Sequence, residues 1–568
     1  MSLGDTVVNR QGHPGSSKKK ARLAPRGRQV QATARDELDK VLGTGPLRRD
    51  LLIEYLHLVH DRHGHLSAEH LVALAERMRL AHSEVYEVAS FYAHFTLVKE
   101  GQPAPQAITL RVCDSPACEM ADASRLAQEL EEHLGARVRV LRAPCMGRCD
   151  TAPVVAVNQN HVDHATLQDV STAVDSGRTS ATVMPYIGFE DYLSREGYRL
   201  LRKCLAGEYS PDEIIQTLKH AALRGLGGAG FPTGTKWEVV RGYPGPRYMA
   251  VNADEGEPGT FKDRYHLERD PHRMLEGALI AAWAVEAETL FIYLRDEYPA
   301  IRQILAKELA ALHAAGLTAH VKVELRRGAG AYICGEESAM LESIEGKRAL
   351  PRHRPPYVAQ LGLFGRPTLV NNVETLHWVR DIVERGPDWF SGHGQNGAKG
   401  LRSYSVSGRV KNPGVKLAPA GITARELIEE FSGGMQEGHV FRAYLPGGAS
   451  GGILPAAKAD LPLDFGSLVD EECFVGSHAV VIVSDQDDIR ALALNLMRFF
   501  EDESCGQCTP CRVGTEKAVA LMTQRHWNRD LLQELARVMA DASICGLGQA
   551  APNPLLCVLR YFPEEFEQ

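Results

Sequence analysis

The chain has 568 residues, twelve of them cysteine, a formal net charge of −8, and 44% hydrophobic and 24% charged residues, an ordinary globular composition at a length of roughly three or four domains. The negative balance excludes a general binder of nucleic acid or of anionic membranes, no run of the roughly 18 apolar residues needed for a membrane span is present, and the N-terminus lacks a signal-peptide core. The cysteines are too sparse for a disulfide scaffold, and eight of them fall in two groups, a pattern of metal binding in a reducing, cytoplasmic compartment.

Residues 1–34 are polar and carry Lys18-Lys19-Lys20, predicting a flexible tail. Residues 35–100 read as a helical bundle, with Leu51, Leu52, Tyr55, Leu56 and Val59 on one apolar face. Ser67 and Ser83 are the expected N-caps of the next two helices, and Val85, Val88, Tyr92 and Phe95 line the last. His57, His60, His63, His65 and His70 read as solvated or capping residues rather than ligands.

Residues 101–180 change character. A strand over Ile108–Val112 leads to Cys113 and Cys118, a helix carries Leu126, Leu130 and Leu134, and a second strand over 138–141 leads to Cys145 and Cys149. Each cysteine pair follows a strand, so four thiolates can converge on one 2Fe-2S centre; zinc is the alternative. Residues 158–182 read as a polar, weakly patterned connection.

Residues 181–398 hold the densest signals. The run Arg224 to Trp237 places Gly225, Gly227, Gly228, Gly230 and Gly234 beside Ala229, Phe231 and Lys236. Glycines permit positive φ and close ligand approach, and a nest of backbone N–H groups next to a lysine suits phosphate. A flexible linker is the other reading. Gly225, Gly227 and Gly230 match G-x-G-x-x-G, but what precedes them is helical: Ser210 as N-cap, then Pro211, Ile214, Ile215, Leu218 and Ala222. An ordinary Rossmann unit is therefore not expected.

A strand over Tyr248–Val251 ends in Asn252, Asp254, Glu255 and Glu257, acceptors for ligand hydroxyls or, alternatively, a solvated acidic turn. A strand over 289–294 and a helix over 298–315 follow. Gly328 to Ser338 is a second glycine-rich run, with Tyr332, Gly335, Glu336 and Glu337; Cys334 within it reads as a packed thiol. Tyr357 after two prolines and the Asn371-Asn372 pair complete the set.

Residues 399–485 are β-rich, with strands over 403–408 and 478–483 and a glycine loop over 446–452 that reads as structural. Residues 486–568 are helical, with helices over 489–500, 515–522 and 530–539. Cys505, Cys508 and Cys511 in C-x2-C-x2-C, with Cys545 further on, suit a 4Fe-4S cubane better than zinc. Cys204, Cys473 and Cys557 read as isolated structural residues.

On these motifs the chain resembles the NADH-oxidising flavin subunit of respiratory complex I, preceded on the same chain by a counterpart of that complex's small 2Fe-2S subunit. The resemblance implies a multidomain α/β and α+β protein: helical bundle, thioredoxin-like 2Fe-2S domain, complex I-type FMN/NADH-binding domain, β-grasp insert and C-terminal helical 4Fe-4S domain. It implies that the first glycine loop and Lys236 hold FMN phosphate, and that Asn371 and Asn372 lie near the phosphate and ribityl chain. Asn252, Asp254, Glu255, Tyr332, Gly335 and Glu336 would surround FMN and NADH, Glu257 and Glu337 would fix NAD hydroxyls, and Tyr357 would stack on adenine. Hydride passes between the cofactors, so no side chain need act as acid or base.

The fused order also resembles the diaphorase subunits of NAD-reducing formate dehydrogenases and hydrogenases. Overall likeness favours the β subunit of soluble NAD-dependent formate dehydrogenase, which implies a catalytic partner carrying a molybdenum or tungsten pterin and its own iron–sulfur clusters. The hydrogenase diaphorase is the alternative, and a non-catalytic iron–sulfur redox sensor is a third reading from another class.

Overall fold

The computed structural model describes residues 28–566. Most of the expected N-terminal tail, including Lys18-Lys19-Lys20, lies outside them. The first helix starts at Ala32 and buries Ala34, so the end of the expected tail already belongs to the bundle.

The bundle consists of helices Ala32–Leu42, Leu52–His63, Ala68–Met78 and His82–Phe91. Ser67 caps the third, its hydroxyl accepting the His70 N–H at 3.1 Å. Ser83 does not cap the fourth: that helix begins at His82 after Ala81, which places Ser83 inside the first turn. Tyr92 and Phe95 are buried but lie beyond the helix end at Phe91. The solvated reading of the histidines fails for His57, His60 and His70, all buried.

The next sheet runs Arg139–Ala143, Thr109–Cys113, Val155–Val157, Asn160–Val162, with the first pair parallel and the others antiparallel. The expected loose connection after 158 is in fact the second strand of a hairpin followed by helix Leu167–Asp175. That helix is capped by Thr166 and buries Val170, Ala173 and Val174.

Four parallel strands form the central sheet, in the order Thr368–Asn372, Arg247–Ala253, Ala287–Leu294, Lys322–Arg327. Both faces are covered, which is why 289–294 reads Thr-Leu-Phe-Ile-Tyr-Leu with no polar alternation. Ligands of open parallel sheets bind at the carboxyl ends of the strands. Here that edge carries Asn371-Asn372, Asn252 to Glu257, Arg295 and the glycine run from Gly328. Helix Pro211–His220 enters the first glycine loop through a complete Ser210/Glu213 capping box.

The β-grasp insert is a five-stranded mixed sheet. The C-terminal helices are Ile489–Asp502, Thr509–Met522, Arg529–Ala542, Gly546–Ala550 and Asn553–Tyr561. The second starts at Thr509 rather than 515, which draws Cys511 into its first turn. No described helix is long and apolar enough to cross a membrane.

Candidate functional site

The first glycine loop is a closed hairpin. Gly225 N–H donates to Phe231 O at 2.8 Å, Thr233 N–H to Leu223 O at 2.9 Å, and the Arg224 guanidinium to Gly230 O at 2.7 Å. Gly228 and Gly230 have φ of +129° and +66°, and a Cβ at Gly230 would meet the Phe465 ring at 2.6 Å. At Gly227 a Cβ would come within 3.1 Å of Asn372. The loop thus lies directly over the asparagine pair, as a phosphate cradle requires.

Behind it, helix Thr233–Gly242 carries Lys236, whose Nζ lies 3.2 Å from Glu337 and 3.1 Å from Val370 O. Register places Asn371 beside Val251 and Asn372 beside Asn252. Asn371 accepts the Trp237 indole N–H at 2.8 Å, and Asn372 caps the following helix while donating to Asp263 at 2.6 Å. Asn252 donates to Gly335 O at 2.9 Å, tying the two acidic turns together. Glu336 caps helix Glu337–Ile344, and Arg354 pairs with both Glu336 and Glu337.

Glu257 is held by three donors. It accepts the Ser450 N–H at 2.7 Å, the Ser450 hydroxyl at 2.6 Å and the Tyr332 hydroxyl. Burial pushes its carboxyl up, and these donors partly offset the shift. Burial likewise raises Asp254, whose Oδ2 has no hydrogen-bond partner. Such a buried orphan acceptor at the ligand edge fits the ring N–H and hydroxyl donors of a flavin nucleotide. Phe231 and Tyr357 are 50% and 60% exposed, aromatic faces left open beside the polar cradle.

One reading changes. Glu255 is not a free acceptor: its oxygens take the Asp263 N–H at 2.8 Å, the Arg264 N–H at 3.0 Å and the Tyr298 hydroxyl at 2.8 Å, so it braces the turn from inside. The 446–452 loop also makes a long-range contact, Ser450 holding Glu257 across 193 residues. Ser450 has no local signal in the sequence beyond the glycines around it. Cys334 is the packed thiol expected, 1% exposed.

The four sulfurs of the first quartet are buried together. Cys145 and Cys149 lie 3.3 Å apart, and Cys113 contacts both Cys118 and Cys145. Four converging buried thiols fit a 2Fe-2S centre. In the second quartet Cys508 sits at the N-cap of Thr509–Met522, Cys511 in its first turn, and Cys545 at the N-cap of Gly546–Ala550. A Cβ at Gly548 would meet the Cys511 Cβ at 2.8 Å, so the segment after Cys545 packs directly on the one that carries Cys511.

The three modules meet at the flavin edge. Arg295 donates to Cys145 O at 2.7 Å. Tyr332 N–H donates to Glu503 at 2.7 Å, and its ring lies 5.0 Å from Phe499, on the helix leading to Cys505. Asn495 on that helix donates to Asp114 O, next to Cys113, at 2.7 Å. Pro144, Asp254, Arg295, Tyr332 and Glu503 line a cavity of about 10 Å³ at this junction, room for about one water.

Three protein families match the chain. Residues 38–178 match the thioredoxin-like [2Fe-2S] ferredoxin family, residues 218–381 the Nuo51 FMN-binding domain, and residues 491–568 the NADH-ubiquinone oxidoreductase-F iron-sulfur binding region. The F 2 subunit of NADH-quinone oxidoreductase in Rhizobium meliloti is 44% identical over 390 residues, 66% of this chain and 92% of the relative. The HndC subunit of NADP-reducing hydrogenase in Solidesulfovibrio fructosivorans is 38% identical over 393 residues, 66% of this chain and 80% of the relative. A chain of NAD+-reducing [NiFe]-hydrogenase in the air-oxidized state superposes with a TM-score of 0.80 at 32% identity, over 91% of this chain and 93% of that one.

Proposed function

We propose, from the premise that this chain belongs to the family of the F subunits of NADH-quinone oxidoreductase, that it is the NAD-facing subunit of a soluble formate dehydrogenase. At the family level it is an NADH-oxidising flavin and iron–sulfur electron-transfer subunit. FMN when bound exchanges a hydride with NAD(H) and parts with electrons singly, and the iron–sulfur centres supply one-electron relay.

The protein's own residues do the holding. Lys236 and the N–H groups of Gly227 to Phe231 would hold the flavin phosphate, with Asn371 and Asn372 beside them. Asn252, Asp254, Gly335 and Glu336 shape the ring and ribityl site. Glu257, positioned by Ser450 and Tyr332, and Glu337, shared with Lys236, would accept NAD hydroxyls. Phe231 and Tyr357 offer stacking faces.

The observation that carries the reading is the two-sided layout: glycine cradle and acids on one edge, with the cysteine quartets tied to that edge through Arg295 and Tyr332 and to each other through Asn495. The formate assignment rests on overall resemblance, since the fused domain order is shared with the hydrogenase diaphorases. It places formate oxidation on a cytoplasmic partner with a molybdenum or tungsten pterin. A hydrogenase diaphorase is the second reading, favoured by the likeness over 91% of the chain. A redox-sensing scaffold would not need the Lys236, Asn252, Glu257 and Glu337 constellation.

The test is NAD+ reduction by the complex isolated anaerobically through a tag on this chain. NADH formed from formate is the expected result. NADH formed from hydrogen but not formate would replace the formate reading with the hydrogenase one.

A further inference from the structure

The seam between the helical bundle and the central sheet holds a group of side chains that the NADH-to-iron–sulfur route does not use. His57 and Asp61 stand one turn apart on helix Leu52–His63, and His94 lies just beyond helix His82–Phe91. His57 is 2% exposed. Its Nε2 lies 2.8 Å from Gly328 O, and His94 Nδ1 lies 2.5 Å from the Asp296 carboxylate.

A carbonyl and a carboxylate can only accept, so those two nitrogens carry the protons. His57 Nδ1 and His94 Nε2 are then bare lone pairs; both are buried and neither has a hydrogen-bond partner. The ring centroids are 4.8 Å apart. A ring nitrogen of each histidine and a carboxylate oxygen of Asp61 lie within 4.8 Å of one another. The two buried, unpartnered ring nitrogens beside this carboxylate are acceptors that an electron-poor centre would satisfy.

The outer contacts have the form that metal sites use. Imidazole ligands donate their far N–H to a carbonyl or carboxylate, which fixes tautomer and ring orientation. His60, the third imidazole here, accepts the Thr96 N–H at 3.3 Å and so is not offered. Arg327 bridges Asp61 at 2.5 Å and Asp296 at 2.6 Å, holding both carboxylates in place beside the imidazoles. Asp61 is 37% exposed at the side chain, which gives an ion a way in.

We propose that His57, His94 and Asp61 bind a divalent transition-metal ion of the zinc class, a fourth position being left to water. Two imidazoles and one carboxylate form a borderline donor set that suits zinc and disfavours magnesium or calcium. Gly328 and Asp296 belong to the flavin domain, and Gly328 opens the glycine run that carries Tyr332. The ion would therefore fasten the bundle to the segment that shapes the flavin site. It is separate from both cysteine quartets.

The test uses the full chain with its clusters and flavin in place, stripped of loosely held metal by dialysis and titrated with Zn2+. Metal analysis should give one zinc per chain. Zinc K-edge absorption should show only nitrogen and oxygen neighbours at about 2.0 Å, and zinc should raise the thermal unfolding midpoint. The variants His57→Gln and the surface-level Asp61→Asn should each lose the tightly held zinc and the midpoint shift while keeping iron, flavin and NADH–dye activity. Absence of retained zinc, sulfur neighbours in the absorption spectrum, or equal zinc in His57→Gln would overturn the proposal.

Discussion

Lys236 Nζ lies 3.2 Å from the Glu337 carboxylate, joining the helix after the first glycine loop to the helix after the second. The pair, with Val370 O at 3.1 Å, fixes where the ammonium stands. In the proposed cradle, replacing Lys236 by alanine removes a charge-assisted contact to phosphate worth about 1.5–3 kcal/mol. FMN affinity should fall roughly 10- to 100-fold, measured as flavin retained after gel filtration with iron content unchanged.

Ser450 makes a narrower test. Ser450→Ala keeps the backbone donor to Glu257 and removes the hydroxyl donor at 2.6 Å. A loss of about 1 kcal/mol should raise KM for NADH roughly fivefold, with kcat for dye reduction little changed. An unaltered KM would remove Glu257 from the NAD contact.

The cysteine quartets predict a split phenotype. Cys545→Ala should lose the larger cluster's iron and its low-temperature paramagnetic signal. NADH–dye activity at the flavin should remain, while transfer to the partner subunit stops. The 2Fe-2S signal should persist, because Cys113, Cys118, Cys145 and Cys149 lie on separate elements.

Glu54 gives a pH dependence. Burial pushes its carboxyl up to about 7, with Arg326 at 3.3 Å opposing the shift. The folded protein therefore holds a proton that the unfolded chain releases above the ordinary glutamate value. This contribution is fully present below that value and is lost as pH rises to about 7, with a slope of at most about 1.4 kcal/mol per pH unit. The unfolding midpoint of Glu54→Gln should fall less between pH 5 and pH 8 than that of the parent protein.

Locally written features were the legible ones. The Ser210 capping box and the apolar run at 289–294 depend on near neighbours, and the structure reproduces them. The cysteine spacings and the glycine runs stood out for the same reason: a cluster or a cradle needs several of its residues side by side. Features made by distant contacts were not legible. Helix Leu167–Asp175 buries only Val170, Ala173 and Val174, too small a stripe to stand out. His57 is buried only where the glycine run after the sheet closes over the bundle, its Nε2 2.8 Å from Gly328 O. Cys473 and Cys557 looked isolated, yet their sulfurs lie 3.5 Å apart across 84 residues. Glu255 carries the same acidic signature as Glu257, yet its donors are Asp263, Arg264 and Tyr298 rather than Ser450 and Tyr332.

The most direct test of the electron route is anaerobic titration of the full chain with NADH, followed by flavin absorbance and low-temperature paramagnetic resonance. The account predicts that flavin bleaches and that reduced-cluster signals grow with it, both being lost in Lys236→Ala. Bleached flavin with both clusters left oxidised by excess NADH would contradict the relay from the glycine cradle to the cysteine quartets.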